Sequence, residues 1–198
     1  GAILSRVDES NRYAFDQTCR VTAIELASRL GLTGMLSINS LPNAVYRAET
    51  CIRATLQAAG EFRFPPEQLM FEVTESEQVR DHAHLRSIFA EYKRQGFTTA
   101  IDDFGAGHSG LNLLADFQPD IVKLDMALTR NIDGDRIRRA IVSGIVRLCD
   151  ELDIRIIAEG IESEGECLAL RDAGISLFQG YLFARPGLAS LPAVDPRV

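Results

Sequence analysis

The feature that most constrains this chain is a repeated switch of hydrophobic period. Short apolar runs rich in β-branched residues recur at 35–40, 69–74, 98–102, 121–124, 155–158 and 177–183, each about the length of a strand. Between most of them apolar residues return at helical spacing. Leu85, Ile88, Phe89 and Tyr92 follow i, i+3, i+4, i+7; Ile137, Ile141, Ile145 and Leu148 line one face; Val21, Ile24 and Leu30 suggest a helix over 21–30. Gly31, Gly96 and Gly174 stand where helices should stop, and Pro42, Pro65, Pro66 and Pro119 punctuate loops. Strand and helix in alternation predict parallel pairing with helices covering the sheet. That leaves an open doubly wound sheet or a closed barrel.

The polar residues choose between them. Asn39 ends the first run; Glu72 and Glu75 lie on or just beyond the second; Asp102 and Asp103 end the third. Lys123 and Asp125 mark the fourth, Glu159 and Glu162 follow the fifth, and Gln179 lies in the sixth. One such carboxylate could be a helix cap, and an Asn before Leu-Pro could shape a turn. Several like charges on one rim are unfavourable unless cations sit among them. In a parallel barrel the C-terminal rim collects active-site residues from many strands, whereas an open sheet concentrates its site at one switch point. A barrel is therefore expected.

Oxygen ligands without His or Cys favour Mg²⁺ or Mn²⁺ over Zn²⁺. His82, His84 and His108 lie off the strands. Adjacent Asp102 and Asp103, followed by Gly105 and Gly107, suit two divalent cations, with one carboxylate bridging. Lys123 adds a point charge for a water or a phosphorane. The residues alone favour a metal-dependent phosphodiesterase or phosphatase. A barrel enzyme acting on carbon acids with one Mg²⁺ has similar strands, but does not account for the Asp-Asp pair and its Gly-rich loop.

Composition narrows the partners. A net charge of −7 disfavours broad nucleic-acid binding, so no DNA partner is expected. No run of apolar residues is long enough to span a membrane. Cys19, Cys51, Cys149 and Cys167 show no C-x-x-C spacing and read as buried, reduced thiols of a cytoplasmic protein.

With these residues in view, the chain resembles the EAL-domain family of bacterial cyclic di-GMP phosphodiesterases. The motifs run nearly end to end: LSINS, LMFEVTES, AIDDFGAGHSGLNLL, DIVKLD, IIAEGIES and LFQGYLFARP. The resemblance implies an α/β, TIM-like (β/α)8 barrel, with residues 1–198 forming a single EAL-type domain. That domain is expected to be N-terminally incomplete, because the first two strands, including the one bearing Glu-Ala-Leu, have no counterpart in the sequence. The opening, VDESNRYAFDQTCRVTAIELASRL, resembles EAL domains attached to blue-light-sensing BLUF domains, so an upstream sensor is expected.

Carried over, the resemblance makes Asn39, Glu72, Asp102, Asp103 and Glu159 the metal ligands, with Asp102 as the bridge. Lys123 touches the nucleophilic water and Glu75 braces the loop after Asp103. Asp120, Glu162, Gln179, Tyr181 and Pro186 attend the substrate or its surroundings. The implied reaction opens cyclic di-GMP to linear pGpG with two Mg²⁺ or Mn²⁺ ions. The alternative is a non-catalytic EAL domain serving as a nucleotide receptor or protein-binding module. Ala106, His108 and Gly110 depart from the family's usual Thr or Ser, Tyr and Ser. The segment 104–114, with Leu111, Leu113 and Leu114, is expected to form a homodimer contact.

Overall fold

The structure, a computed structural model, describes residues 6–8, 10–40, 48–75, 82–107 and 110–194; of residues 48–51 and 82 only the backbone is described. His108 and the side chain of Cys51 therefore lie outside the described residues. The elements are α1 (Arg12–Arg29), β1 (Leu36–Asn39), α2 (Ala48–Glu61), β2 (Leu69–Thr74), α3 (His82–Arg94), β3 (Thr98–Phe104), α4 (Gly110–Asp116), β4 (Ile121–Leu124), α5 (Met126–Thr129), α6 (Arg136–Glu151), β5 (Arg155–Ala158), α7 (Glu164–Asp172) and β6 (Leu177–Phe178). The chain forms two compact units, one of Gly1–Val73 with Gln78–Thr99, the other of Thr74–Glu77 with Ala100–Val198.

In the first unit β1 and β2 pair in parallel, from Leu36 opposite Leu69 to Asn39 opposite Glu72. Ile24, Ile38, Ile52, Phe64, Leu69, Phe71, Ile88, Tyr92 and Phe97 make one buried cluster. The Phe71 and Tyr92 rings stack at 4.5 Å between centroids, and Phe97 meets Phe71 edge-on at 5.3 Å. The face expected for α3 is observed, with Leu85, Ile88, Phe89 and Tyr92 all buried.

The helix α1 begins nine residues earlier than the apolar pattern suggests, at Arg12 rather than Val21. Its buried stripe is Asp16, Arg20, Ile24 and Ala27, and the first two are charged. Arg20, fully buried, holds Asp16 at 2.8 Å and lies 4.7 Å from the centre of the Phe71 ring. A stripe that begins with an ion pair is invisible to an apolar template.

In the second unit β3, β4, β5 and β6 pair in parallel and in chain order. The helix α6 turns a different face inward from the one expected. Val142, Val146 and Cys149 are buried, while Ile137 is 72% exposed and Ile141 45% exposed. Two apolar stripes fit this helix, and periodicity cannot say which one meets the sheet. The last strand is far shorter than expected, because after Phe178 the chain turns around Ile161. Ile161 N–H donates to the Gln179 carbonyl at 3.1 Å, and Leu182 N–H donates to the Ile161 carbonyl at 3.0 Å. A Cβ on Gly180 would collide with the Ile161 backbone, so only glycine allows this wrap.

Of the four cysteines, Cys149 is buried, and burial pushes its thiol up to about 11. Cys19 is exposed and Cys167 half-buried, contrary to the expectation that all are buried. Among the described residues no helix is long and apolar enough to cross a membrane.

Candidate active site

The site is built around an irregularity in β3. Ile101 pairs with Val122 and Phe104 with Leu124, so Asp102 and Asp103 together face the single residue Lys123. This two-against-one step is a β-bulge. Asp103 takes a left-handed backbone (φ 54°), unusual for a residue with a side chain. In a regular strand neighbouring side chains point to opposite faces. The bulge overrides that alternation, and oxygens of Asp102, Asp103 and Glu159 come within 4.8 Å of one another.

Lys123 sits among them. Its Nζ is 2.7 Å from Asp102 Oδ1 and 2.7 Å from Glu159 Oε1. These three side chains are only 7%, 15% and 13% exposed, so their charges interact in a medium less polarisable than water. Burial raises the Asp103 carboxyl above its ordinary value, Asp102, Asp125 and Glu75 push it further up, and Lys123 opposes them. One lysine therefore leaves the cluster short of positive charge. Three carboxylates with hard oxygens in this arrangement fit a divalent cation.

The loop after Asp103 is held from beneath. Glu75, 3% exposed, accepts hydrogen bonds from Gly105 N–H (2.8 Å), Gly107 N–H (3.1 Å) and Gly110 N–H (2.7 Å). Gly105 has φ +97°, and a Cβ there would collide with the Leu128 side chain. The departure at Gly110 also has a local reason. A Cβ at that position would lie 2.7 Å from the Phe104 ring, so serine would require a shift.

A cleft of about 270 Å³ adjoins the cluster, lined by Asp103, Asp125, Met126, Glu159, Glu162 and Gln179 with Gly160, Gly180 and Tyr181. Tyr181 is 52% exposed, and the Arg185 guanidinium lies 4.4 Å from its ring centre. Glu162 pairs with Arg130 at 2.9 Å.

The remaining expected residues are described within their own units. Asn39 and Glu72 lie opposite each other in the first unit, Asn39 exposed and Glu72 3% exposed. Asp120 precedes the first residue of β4, and its carbonyl accepts from Arg155 N–H where β5 begins. It is at the opposite end of the strand from the cluster and out of phase with Lys123, and it does not line the cleft. Pro186 is exposed and does not line it either. Leu113 and Leu114 pack inward, leaving Leu111, 64% exposed, as the free leucine of the expected contact segment.

Asp125 was legible as a strand-end carboxylate, but no role was attached to it. It caps α5 by accepting from Ala127 N–H at 2.8 Å while lining the cleft beside Asp103. Thr129 belongs to no motif, and Glu166 to none beyond a local Ser-x-x-Glu cap with Ser163. Only the fold brings Thr129 and Asn131 to the segment after β5.

A family profile described as EAL domain matches residues 6–186. The chain belongs to the EAL-domain family. Among its relatives is the blue light- and temperature-regulated antirepressor BluF of Escherichia coli K12, 34% identical over 92% of this chain and 45% of BluF. The cyclic di-GMP phosphodiesterase RocR of Pseudomonas aeruginosa is 36% identical over 64% of this chain and 32% of RocR. The chain thus spans less than half the length of these relatives. A standalone EAL protein from Vibrio cholerae O395, solved with c-di-GMP bound, superposes with a TM-score of 0.94 at 56% identity, covering 98% of this chain and 82% of that one. Klebsiella pneumoniae BlrP1, solved with manganese and cyclic di-GMP, gives 0.86 at 38% identity over 93% of this chain and 47% of BlrP1. The EAL fold of this chain is the α/β, TIM-like fold of those structures.

Proposed function

We propose that this EAL domain hydrolyses cyclic di-GMP to linear pGpG. The carrying observation is the cluster of Asp102, Asp103 and Glu159 around Lys123 at the edge of a cleft. RocR's designation as a cyclic di-GMP phosphodiesterase supports the substrate.

In this reading Asp102, Asp103 and Glu159 hold two divalent cations, Mg²⁺ or Mn²⁺, with Asn39 and Glu72 as further ligands on the strength of their motifs. Bound divalent cations acidify water and neutralise phosphate charge. Water adds its oxygen to phosphorus, the bond from phosphorus to the 3′ oxygen breaks, and that oxygen takes up a proton. Lys123 Nζ steadies the negative charge that develops as the bond forms. Glu75 keeps Gly105, Gly107 and Gly110 in place after Asp103. Glu162, Gln179 and Tyr181 orient the nucleotide; neither Asp120 nor Pro186 is given that task. This reading keeps the cytoplasmic setting expected from the spacing of the cysteines.

One observation favours a second reading. BluF, similar over 92% of this chain, is described as an antirepressor. On that reading the domain binds cyclic di-GMP or a protein without hydrolysis, under an upstream sensor. Incubating the protein with cyclic di-GMP and Mn²⁺ or Mg²⁺, and separating products by chromatography, distinguishes them. Appearance of pGpG that EDTA abolishes supports the enzyme. Saturable nucleotide binding with no product sinks it and leaves the receptor.

A further inference from the structure

The segment bearing Glu159 and Glu162 is held by two buried residues with no part in the chemistry above. Thr129, 1% exposed, closes α5, and its hydroxyl donates to the Glu159 carbonyl at 2.7 Å. A helix-terminal threonine commonly bonds within its own turn; this one reaches across to another segment. Glu159 N–H donates to the Leu124 carbonyl at 3.0 Å. Both backbone groups of Glu159 are thus anchored, one on β4 and one on Thr129.

Glu166, 3% exposed, supplies the second hold. Its carboxylate accepts from Asn131 N–H (2.9 Å), Glu162 N–H (3.0 Å) and Ser163 N–H (3.3 Å). With Ser163 it forms the capping box of α7, for which, of these three carboxylate bonds, only the one from Ser163 N–H is needed. The bonds to Asn131 and Glu162 are extra to capping, and they tie the end of α5 to the loop after β5. That loop turns at Gly160 (φ +68°) and has no regular structure of its own to fix its course.

We propose that Thr129 and Glu166 are positioning residues that fix the Glu159 carboxylate on the metal cluster. The proposal rests on the reading of Asp102, Asp103 and Glu159 as a divalent-cation site. Partners that orient a ligand typically change metal affinity or activity about 10–100-fold when removed.

The test is Mn²⁺ titration of the nucleotide-free protein, with free Mn²⁺ read by electron paramagnetic resonance. Thr129→Val keeps the shape and loses the donor; Thr129→Ser keeps the donor. We expect Thr129→Val to bind Mn²⁺ about tenfold more weakly, with Thr129→Ser close to the parent. Equal affinity in the two variants overturns the positioning role while leaving the metal site intact. Failure of the parent to bind Mn²⁺ overturns the metal-site reading, and the proposal with it. Should Thr129→Val not fold, Glu166→Gln carries the same test. Its amide cannot accept at both ends of the group, so weaker Mn²⁺ binding is expected, and unchanged affinity again overturns the proposal.

Discussion

At the scale of single residues, the site depends on Lys123 sharing its charge between Asp102 and Glu159 at 2.7 Å from each. An ammonium so placed is needed most when negative charge builds on phosphorus, so its removal should act on the transition state more than on the bound substrate. Lys123→Ala is expected to lower kcat about 10²–10³-fold with KM for cyclic di-GMP little changed. Steady-state kinetics under saturating Mn²⁺ measure this. A rise in KM with kcat preserved would make Lys123 a ground-state binding residue. Asp103 shows how far one backbone angle can matter. Its left-handed φ of 54° lets two adjacent carboxylates serve one site, and burial among like charges raises its pKa.

At the scale of elements, α1 is fastened by a charge pair where an apolar stripe would be expected. The Asp16 carboxyl is raised by burial more than Arg20 lowers it. Because the folded value lies above the unfolded one of about 3.9, ionising Asp16 removes stability as pH rises through that interval. Deleting Arg20 leaves the ionised carboxylate buried without its cation and widens the interval. Arg20→Met should therefore cost about 3 kcal/mol near neutral pH and progressively less in acid, where Asp16 is protonated. The double variant Asp16→Leu, Arg20→Met should recover most of the loss. Urea unfolding at neutral and acidic pH reads both. A deficit independent of pH would mean that Arg20 acts through packing on Phe71 alone.

At the scale of the whole molecule, the expectation is self-association. The expected contact segment offers Leu111 on its surface, while Leu113 and Leu114 are buried. We retain the proposal of a two-fold dimer through this segment, coupled to the metal site by way of the Glu75-held loop. Sedimentation at tens of micromolar should show a dimer, and Leu111→Asp should shift it toward monomer. A strict monomer with full turnover of cyclic di-GMP rules out the coupling.

The sequence by itself determined the alternation of strands and helices, the parallel pairing and the family. Each of these depends on local period, strand-end polarity or contiguous motifs, which survive in one dimension. It also determined the residue types of the acidic cluster. Tertiary structure alone decided how the adjacent Asp102 and Asp103 reach one cluster, because that depends on a bulge against β4. The buried face of α6 was likewise settled by packing, since two apolar stripes compete on one helix. The sequence was silent on the long-range bonds of Thr129 to Glu159 and of Glu166 to Asn131, which join residues 30 and 35 positions apart along the chain. The resemblance carried Asp120 toward the substrate with the motif around Lys123; the fold sets it just before β4, at the other end of that strand from Leu124.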